Sequence, residues 1–223
     1  MTGGEAIVAL LSIVVIDIVL GGDNAVLIAL ASKALPPDQR KKAMFWGVAG
    51  AVGIRAALTC VALYVLKIPL LQFTGGILLA WIAIKLLSEE RKVRYETGKS
   101  LAEAIKIIIV ADAIMGIDNV IAIAGAAHGS VLMVILGLAI SVPVIMWGST
   151  FILRFMDRYP FIMYLGAGVL AWTAGQMMAE DKVIYRELGA GIPYFEILVP
   201  VLILVIVMAI GYYRSRVPVD TPS

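Results

Sequence analysis

The chain has 223 residues, of which 61% are apolar and only 15% charged, with a formal net charge of +2. Soluble domains run near half apolar and a quarter charged, so the composition excludes a soluble enzyme, a disordered protein and a nucleic-acid binder, and makes lipid the expected surroundings. A single cysteine, Cys60, excludes an internal disulfide framework and any cysteine-based metal cluster.

Apolar runs separated by charge or by Pro and Gly predict seven transmembrane helices, near 6–31, 43–66, 69–87, 104–127, 131–153, 161–179 and 194–213. The whole of 1–223 reads as one all-α membrane domain. The first run lacks a basic leader and carries internal acids, so it is expected to be a retained helix. The longest connection is Ser88–Glu103, whose mixed charges from Arg91 onward read as a solvated linker. No lysine lies in 194–213, which excludes a retinal photoreceptor.

Basic residues set the orientation. Fourteen fall on one side, among them Lys33, Arg40, Lys42, Arg91, Arg158 and Arg214, and three (Lys67, Lys182 and Arg186) on the other. The bias predicts the N-terminus outside and the C-terminus in the cytoplasm, in a bacterial inner membrane. Trp46, Tyr64, Tyr159 and Tyr194 fall near helix ends as interfacial aromatics, whereas Trp81, Trp147 and Trp172 lie deeper and are expected to pack internally.

A motif repeats. Asp17 opens D-x-x-x-G-x-D-N with Gly21, Asp23 and Asn24, and 95 residues later Asp112 opens it again with Gly116, Asp118 and Asn119. Gly75, Leu79, Ala80 and Trp81 return as Gly166, Leu170, Ala171 and Trp172, while the second and fifth helices show no match. An odd number of crossings separates the copies, so they run in opposite directions. The expected architecture is three plus three helices in inverted repeat (about 6–87 and 104–179) with 194–213 appended, an arrangement of secondary transporters. At 1.5 Å per residue the two aspartates of a copy stand roughly 9 Å apart, which sets Asp17 level with Asp118 and Asp23 level with Asp112. Gly21, Gly22 and Gly116 are the expected helix breaks, able to free backbone carbonyls.

Four aspartates in mid-membrane are expensive, at roughly 2.5–3.5 kcal/mol each on insertion scales. They persist where they line a cavity and bind a cation. Asp17, Asp23, Asn24, Asp112, Asp118 and Asn119 form a hard oxygen set suited to Mg²⁺, Ca²⁺ or Mn²⁺, with no prosthetic group implied. His128 reads as an exposed cap and the methionines as packing. Arg55, inside the second helix, is a candidate counter-ion or gate. Ser12, Thr59, Ser141 and Gln176 are candidates to orient the ligands, and Pro143 is expected to kink the fifth helix. Four carboxylates and one divalent ion leave −2, which motivates cation/proton exchange, with Na⁺ coupling as the competing form. Gly47, Gly50, Gly53 and Gly75–Gly76 permit close helix packing, a homodimer included.

The paired motifs, Asp17 through Asn24 and Asp112 through Asn119, resemble the TerC family of bacterial membrane proteins over nearly the whole chain. The family is grouped with lysine-exporter-like transporters, and its name comes from tellurite resistance. Members of it are implicated in manganese export, so the resemblance implies Mn²⁺ as the bound substrate of those six residues. Competing expectations are efflux of a cationic amino acid, for which Arg55 is the one carboxylate partner, and a non-transport scaffold aiding metalloprotein export.

Overall fold

The computed structural model describes residues 3–61, 68–89, 100–127 and 130–216, with side chains for all of these except 3–5, 89, 118, 121, 215 and 216. The expectations for Tyr64, Lys67, His128, the Asp118 side chain and linker residues 90–99 lie outside what is described. Every regular element among the described residues is helical. The α-helices are α1 (Gly3–Leu20), α2 (Gly22–Lys33), α3 (Pro37–Cys60), α4 (Leu71–Glu89), α5 (Leu101–Ala126), α6 (Val131–Arg158), α7 (Phe161–Glu180), α8 (Lys182–Glu187) and α9 (Phe195–Arg216). A 3-10 turn, Gly189–Gly191, precedes α9.

Five of these helices, α3, α4, α6, α7 and α9, are long and apolar enough to cross a membrane. The pair α1 and α2 makes a sixth if taken as one span, bent by 55° at its break. Gly21 sits at that break. A Cβ there would stand 2.5 Å from the Asp17 carbonyl oxygen, so no other residue fits without moving backbone. The Gly21 amide donates to the same carbonyl at 2.9 Å and closes the end of α1. Gly22 then opens α2, with nothing near its missing Cβ.

The second copy behaves differently. Helix α5 runs unbroken from Leu101 to Ala126, through Gly116, where the sequence suggested a break. One glycine costs about 1 kcal/mol against Ala in a helix, too little to open a packed one. In the second copy Ile117 stands where the first has Gly22.

Glycines set the closest helix approaches, and they do so inside the molecule. Ile108 of α5 occupies the space a Gly47 side chain would need, and Ile109 that of Gly50. Gly76 of α4 lies against the Ala174 carbonyl of α7, and Gly175 of α7 lies against the Pro200 backbone of α9. Gly47, Gly50 and Gly76, read in the sequence as permitting a homodimer, are thus used within one chain; Gly53 has open space.

The same packing supplies a match that the sequence did not. Ile13 of α1 fills the space beside Gly137 of α6 just as Ile108 fills the space beside Gly47 of α3, and Ile13 and Ile108 are separated by the same 95 residues as the motifs. Along α3 the buried Met44, Gly47, Val48 and Ala51 correspond, each 90 residues on, to buried Val134, Gly137, Leu138 and Ser141 in α6.

The largest apolar cluster joins Ile28, Leu79, Ile108, Met156, Leu170 and Val207. A smaller one holds Ile13, Ile123, Val134 and Leu138. Trp81, Trp147 and Trp172 are not in either. They are 53%, 73% and 36% exposed, on the outer surface with many other large apolar groups. A surface next to lipid has no reason to bury indole rings.

Candidate cation site

The break between α1 and α2 separates the two acids of the first copy. Asp17 is in the last turn of α1, and Asp23 in the first turn of α2, where the helix dipole favours negative charge. Asp17, Asn24, Asp112 and Asn119 are all buried, and Asp23 is half-buried. The Asp118 side chain is not among those described.

Arg55 of α3 joins the copies. Its guanidinium is 4% exposed. Nη1 donates to Asp17 Oδ1, and Nη2 donates to Asp112 Oδ1 at 2.6 Å. The planar fork of an arginine suits two carboxylates at once in a way an ammonium does not. Gly116 makes room for it: a Cβ there would come within 3.1 Å of Arg55 Nε. The glycine of the second motif therefore serves as a cradle for Arg55.

Asp17 meets Asp112, its counterpart in the repeat, through one guanidinium. The chain turns by 55° at Gly21, so the straight-helix spacing of Asp17 and Asp23 does not hold across that break.

Hydroxyls complete part of the shell. Ser141 of α6 donates to Asp17 Oδ2, and Thr173 of α7 donates to Asp23 Oδ2 at 3.2 Å. Thr59 instead donates to the Arg55 carbonyl at 2.8 Å, a bond within its own helix, and Gln176 is exposed. Thr173 was missed by sequence reasoning. Its signal is a lone hydroxyl directly after Trp172, in a segment whose first copy has Ile82 at that place.

Several polar atoms of the site have no hydrogen-bond partner among the described residues: Asp23 Oδ1, Asp112 Oδ2, Arg55 Nε and both side-chain polar atoms of Asn24. Buried polar groups are nearly always paired, so these call for an explanation. Asp181 gives the contrast. It is equally buried, yet it accepts from the Val183 amide at 3.0 Å, the Ile184 amide at 3.4 Å and the Phe73 amide at 3.3 Å. That is a structural acid, capping α8 and fastening it to α4.

No three acid, histidine or cysteine side chains among the described residues are close enough to hold a metal ion. The Arg55 guanidinium lies between Asp17 and Asp112. Around it remains a cavity of about 20 Å³, lined by Asp17, Arg55, Asp112, Val48, Ala51 and Ile145, room for about one water.

The two ends of the site differ. Toward the C-terminal end of α3 lies a cavity of about 230 Å³ lined by Ala56, Thr59, Cys60, Ala124, Ser130 and Val134. Toward the N-terminal end of α3 the helices are packed: Ala29, Ser32, Met44 and Ser149 are buried, and the Thr150 hydroxyl reaches the Met44 sulfur at 3.8 Å. Arg40 ties this end together, with Nη1 on Asp157 Oδ2 at 2.6 Å, Nη2 on the Lys33 carbonyl at 3.1 Å and Nε on the Leu35 carbonyl at 3.0 Å.

Comparison with known proteins agrees with a membrane protein. Residues 2–218 match the model of the "Integral membrane protein TerC family". A membrane protein of Bacillus subtilis, YjbE, described as uncharacterized, is 43% identical over 96% of this chain and 98% of its own length. The Escherichia coli inner membrane protein YgdQ is 28% identical over 85% of this chain and 87% of its own, and YoaE of the same organism is 29% identical over 77% of this chain and 37% of its own. No solved structure matches.

Proposed function

Because this chain belongs to the TerC family of integral membrane proteins, we propose that it is a secondary transporter exporting a hard divalent cation, Mn²⁺, from the cytoplasm by alternating access. The observation that carries this reading is the meeting of Asp17 and Asp112, equivalent acids of two sequence copies, at one buried point with carboxylate and amide oxygens left unpartnered around them. Such oxygens are ligands in waiting, and carboxylate with amide oxygen is the donor set of a hard divalent ion. Mn²⁺ among such ions comes from the implication of the family, and the ligand set also admits Mg²⁺ and Ca²⁺.

The architecture proposed is seven crossings, counting α1 with α2 as one and adding α5, arranged as two inverted triplets with α9 appended. The exchangeable packing supports it. Helix α3 lies on α5 through Gly47 and Ile108, and α6 lies on α1 through Gly137 and Ile13. Inverted repeats place their site at the mutual crossing and open it to either side in turn. The 230 Å³ cavity at one end and the packed layer at the other fit a molecule open to one side.

Export of a long cationic amino acid fits less well, since its carboxylate would need Arg55 as partner and that guanidinium already holds Asp17 and Asp112. Proton exchange is the proposed drive, because departure of a divalent ion leaves several buried acids to neutralise. Uptake of Mn²⁺ into inverted membrane vesicles tests the reading. Uptake is expected to exceed that of Zn²⁺, to be lost in Asp118→Asn, and to slow when the pH gradient is collapsed. Full rescue of a manganese-sensitive strain by Asp118→Asn would instead favour a scaffold.

A further inference from the structure

We propose that Arg55 is a tethered competitor of the exported cation: its guanidinium holds the carboxylate site when the cation is absent and must withdraw before the cation binds. The inference rests on the cation-site reading above and assigns Arg55 a task within it.

Three observations point this way. The first is position. Both guanidinium nitrogens that donate to Asp17 and Asp112 occupy the point between the two acids where a shared cation would lie. With the side chain in place the adjoining cavity is about 20 Å³, so guanidinium and a partly hydrated divalent ion cannot share it. The two are alternatives, and a guanidinium confined beside the site competes at the high effective concentration of any tethered group.

The second is incomplete satisfaction. A buried ion pair kept for structure has its remaining valences met, because each unmet one is costly, as Asp181 is met by three backbone amides. Among the described residues, Arg55 Nε and Asp112 Oδ2 are without partners. Gly116 supplies a slot for the guanidinium but no hydrogen bond to it. The pair is thus held by two charge-assisted hydrogen bonds and by shape, with valences on both sides still open to a new partner.

The third is asymmetry. The 90-residue correspondence between α3 and α6, fixed by Gly47 with Gly137 and extended by Ala51 with Ser141, pairs Arg55 with Ile145. Both Arg55 and Ile145 line the small central cavity. The carboxylates are duplicated and the arginine is not, so one cationic group serves the two copies together. A place for the withdrawn side chain exists as well. The larger cavity begins at Ala56 and Thr59, the next residues along α3 on that side.

An arginine suits this task because it stays charged throughout. It lowers the cost of the cation-free site during the return step, when a bare cluster of buried acids would otherwise have to cross between states. It also sets the affinity, since the apparent dissociation constant rises by the fraction of time the arginine is in place.

Calorimetric Mn²⁺ binding to the purified protein, with Mn²⁺ flux in proteoliposomes, tests the proposal on wild type, Arg55→Gln and Arg55→Lys. Glutamine keeps hydrogen-bonding capacity without the charge, and is expected to bind Mn²⁺ at least ~10-fold more tightly. Its net flux should fall while exchange of Mn²⁺ across the membrane persists, because only the cation-free return needs the arginine. Lysine keeps the charge but reaches one carboxylate, and should bind with intermediate affinity. Unchanged or weaker binding in monodisperse Arg55→Gln overturns the proposal. Should that variant fail to fold, unchanged or weaker binding by Arg55→Lys does the same. Absence of Mn²⁺ binding in wild type as well as both variants would overturn the cation-site reading itself, whereas wild-type binding with the wrong variant order overturns only the role of Arg55.

Discussion

At Gly21 a single missing methyl decides the course of the first span. Its Cβ would meet the Asp17 carbonyl oxygen at 2.5 Å and the Asn24 amide nitrogen at 3.0 Å, so any side chain pushes on both a helix end and a candidate ligand. Gly21→Ala should cost about 1–3 kcal/mol, the range for overpacking a tight site, and should lower Mn²⁺ affinity. Thermal unfolding in detergent and a binding titration check the two effects. Gly22→Ala, one residue on with open space, should do little to stability. Equal destabilisation by the two substitutions would mean that the bend is not held by the Asp17–Gly21 contact. Thr173 offers a milder test at the same scale. Thr173→Val removes the donor to Asp23 while keeping shape, and about 10-fold weaker Mn²⁺ binding is expected, the order of loss when a group that orients a ligand is removed.

At the scale of elements, the correspondence of α3 with α6 was missed in the sequence because it resides more in burial than in identity, whose few matches are common small or apolar residues. Met44 with Val134 and Ala51 with Ser141 share a place and no letters, and only Gly47 with Gly137, Ala49 with Ala139 and Val52 with Val142 keep their residues across this stretch. The motif copies were legible because site residues are constrained by chemistry. Their backbones were less so: the same glycine breaks one helix at Gly21 and cradles an arginine at Gly116. What decides between these is a second glycine in one copy and a neighbouring helix carrying Arg55 in the other, and the latter is tertiary information. The tryptophans were misread for a related reason. Depth along a helix is readable from sequence, but which face meets lipid is not, and Trp147 proved to be 73% exposed. The correspondence itself predicts matched behaviour. Gly47→Val and Gly137→Val should each destabilise by about 1–3 kcal/mol, and Ile108→Ala or Ile13→Ala respectively should relieve the overpacking, as double-mutant cycles would measure. Rescue at one pair without the other would break the equivalence.

For the molecule as a whole, the difference between its two ends is the feature with functional content. The end rich in Lys33, Arg40 and Arg158 is packed and tied by Arg40 to Asp157, while the other end holds the cavity that Cys60 lines. Ser32, whose hydroxyl is buried in the packed end with no partner among the described residues, is the kind of group that would find water if that end opened. Cys60 is the chain's only cysteine and is exposed, which makes it a natural reporter. A membrane-impermeant thiol reagent applied to intact cells should label it, and reagent confined to the cytoplasmic side should not. The reverse pattern would invert the orientation read from the basic residues. Asp157→Asn should weaken the tie at the packed end, favour opening there and slow the external labelling, by a small factor because exposed ion pairs contribute at most ~1 kcal/mol.

The most direct measurement is Mn²⁺ accumulation by proteoliposomes containing the purified protein, with Asp112→Asn prepared alongside. Wild type is expected to accumulate Mn²⁺ down an imposed gradient well above empty liposomes, and Asp112→Asn, equally folded, to lose that flux. Equal flux in Asp112→Asn and wild type, or none in either, would contradict the assignment of these buried carboxylates to cation transport.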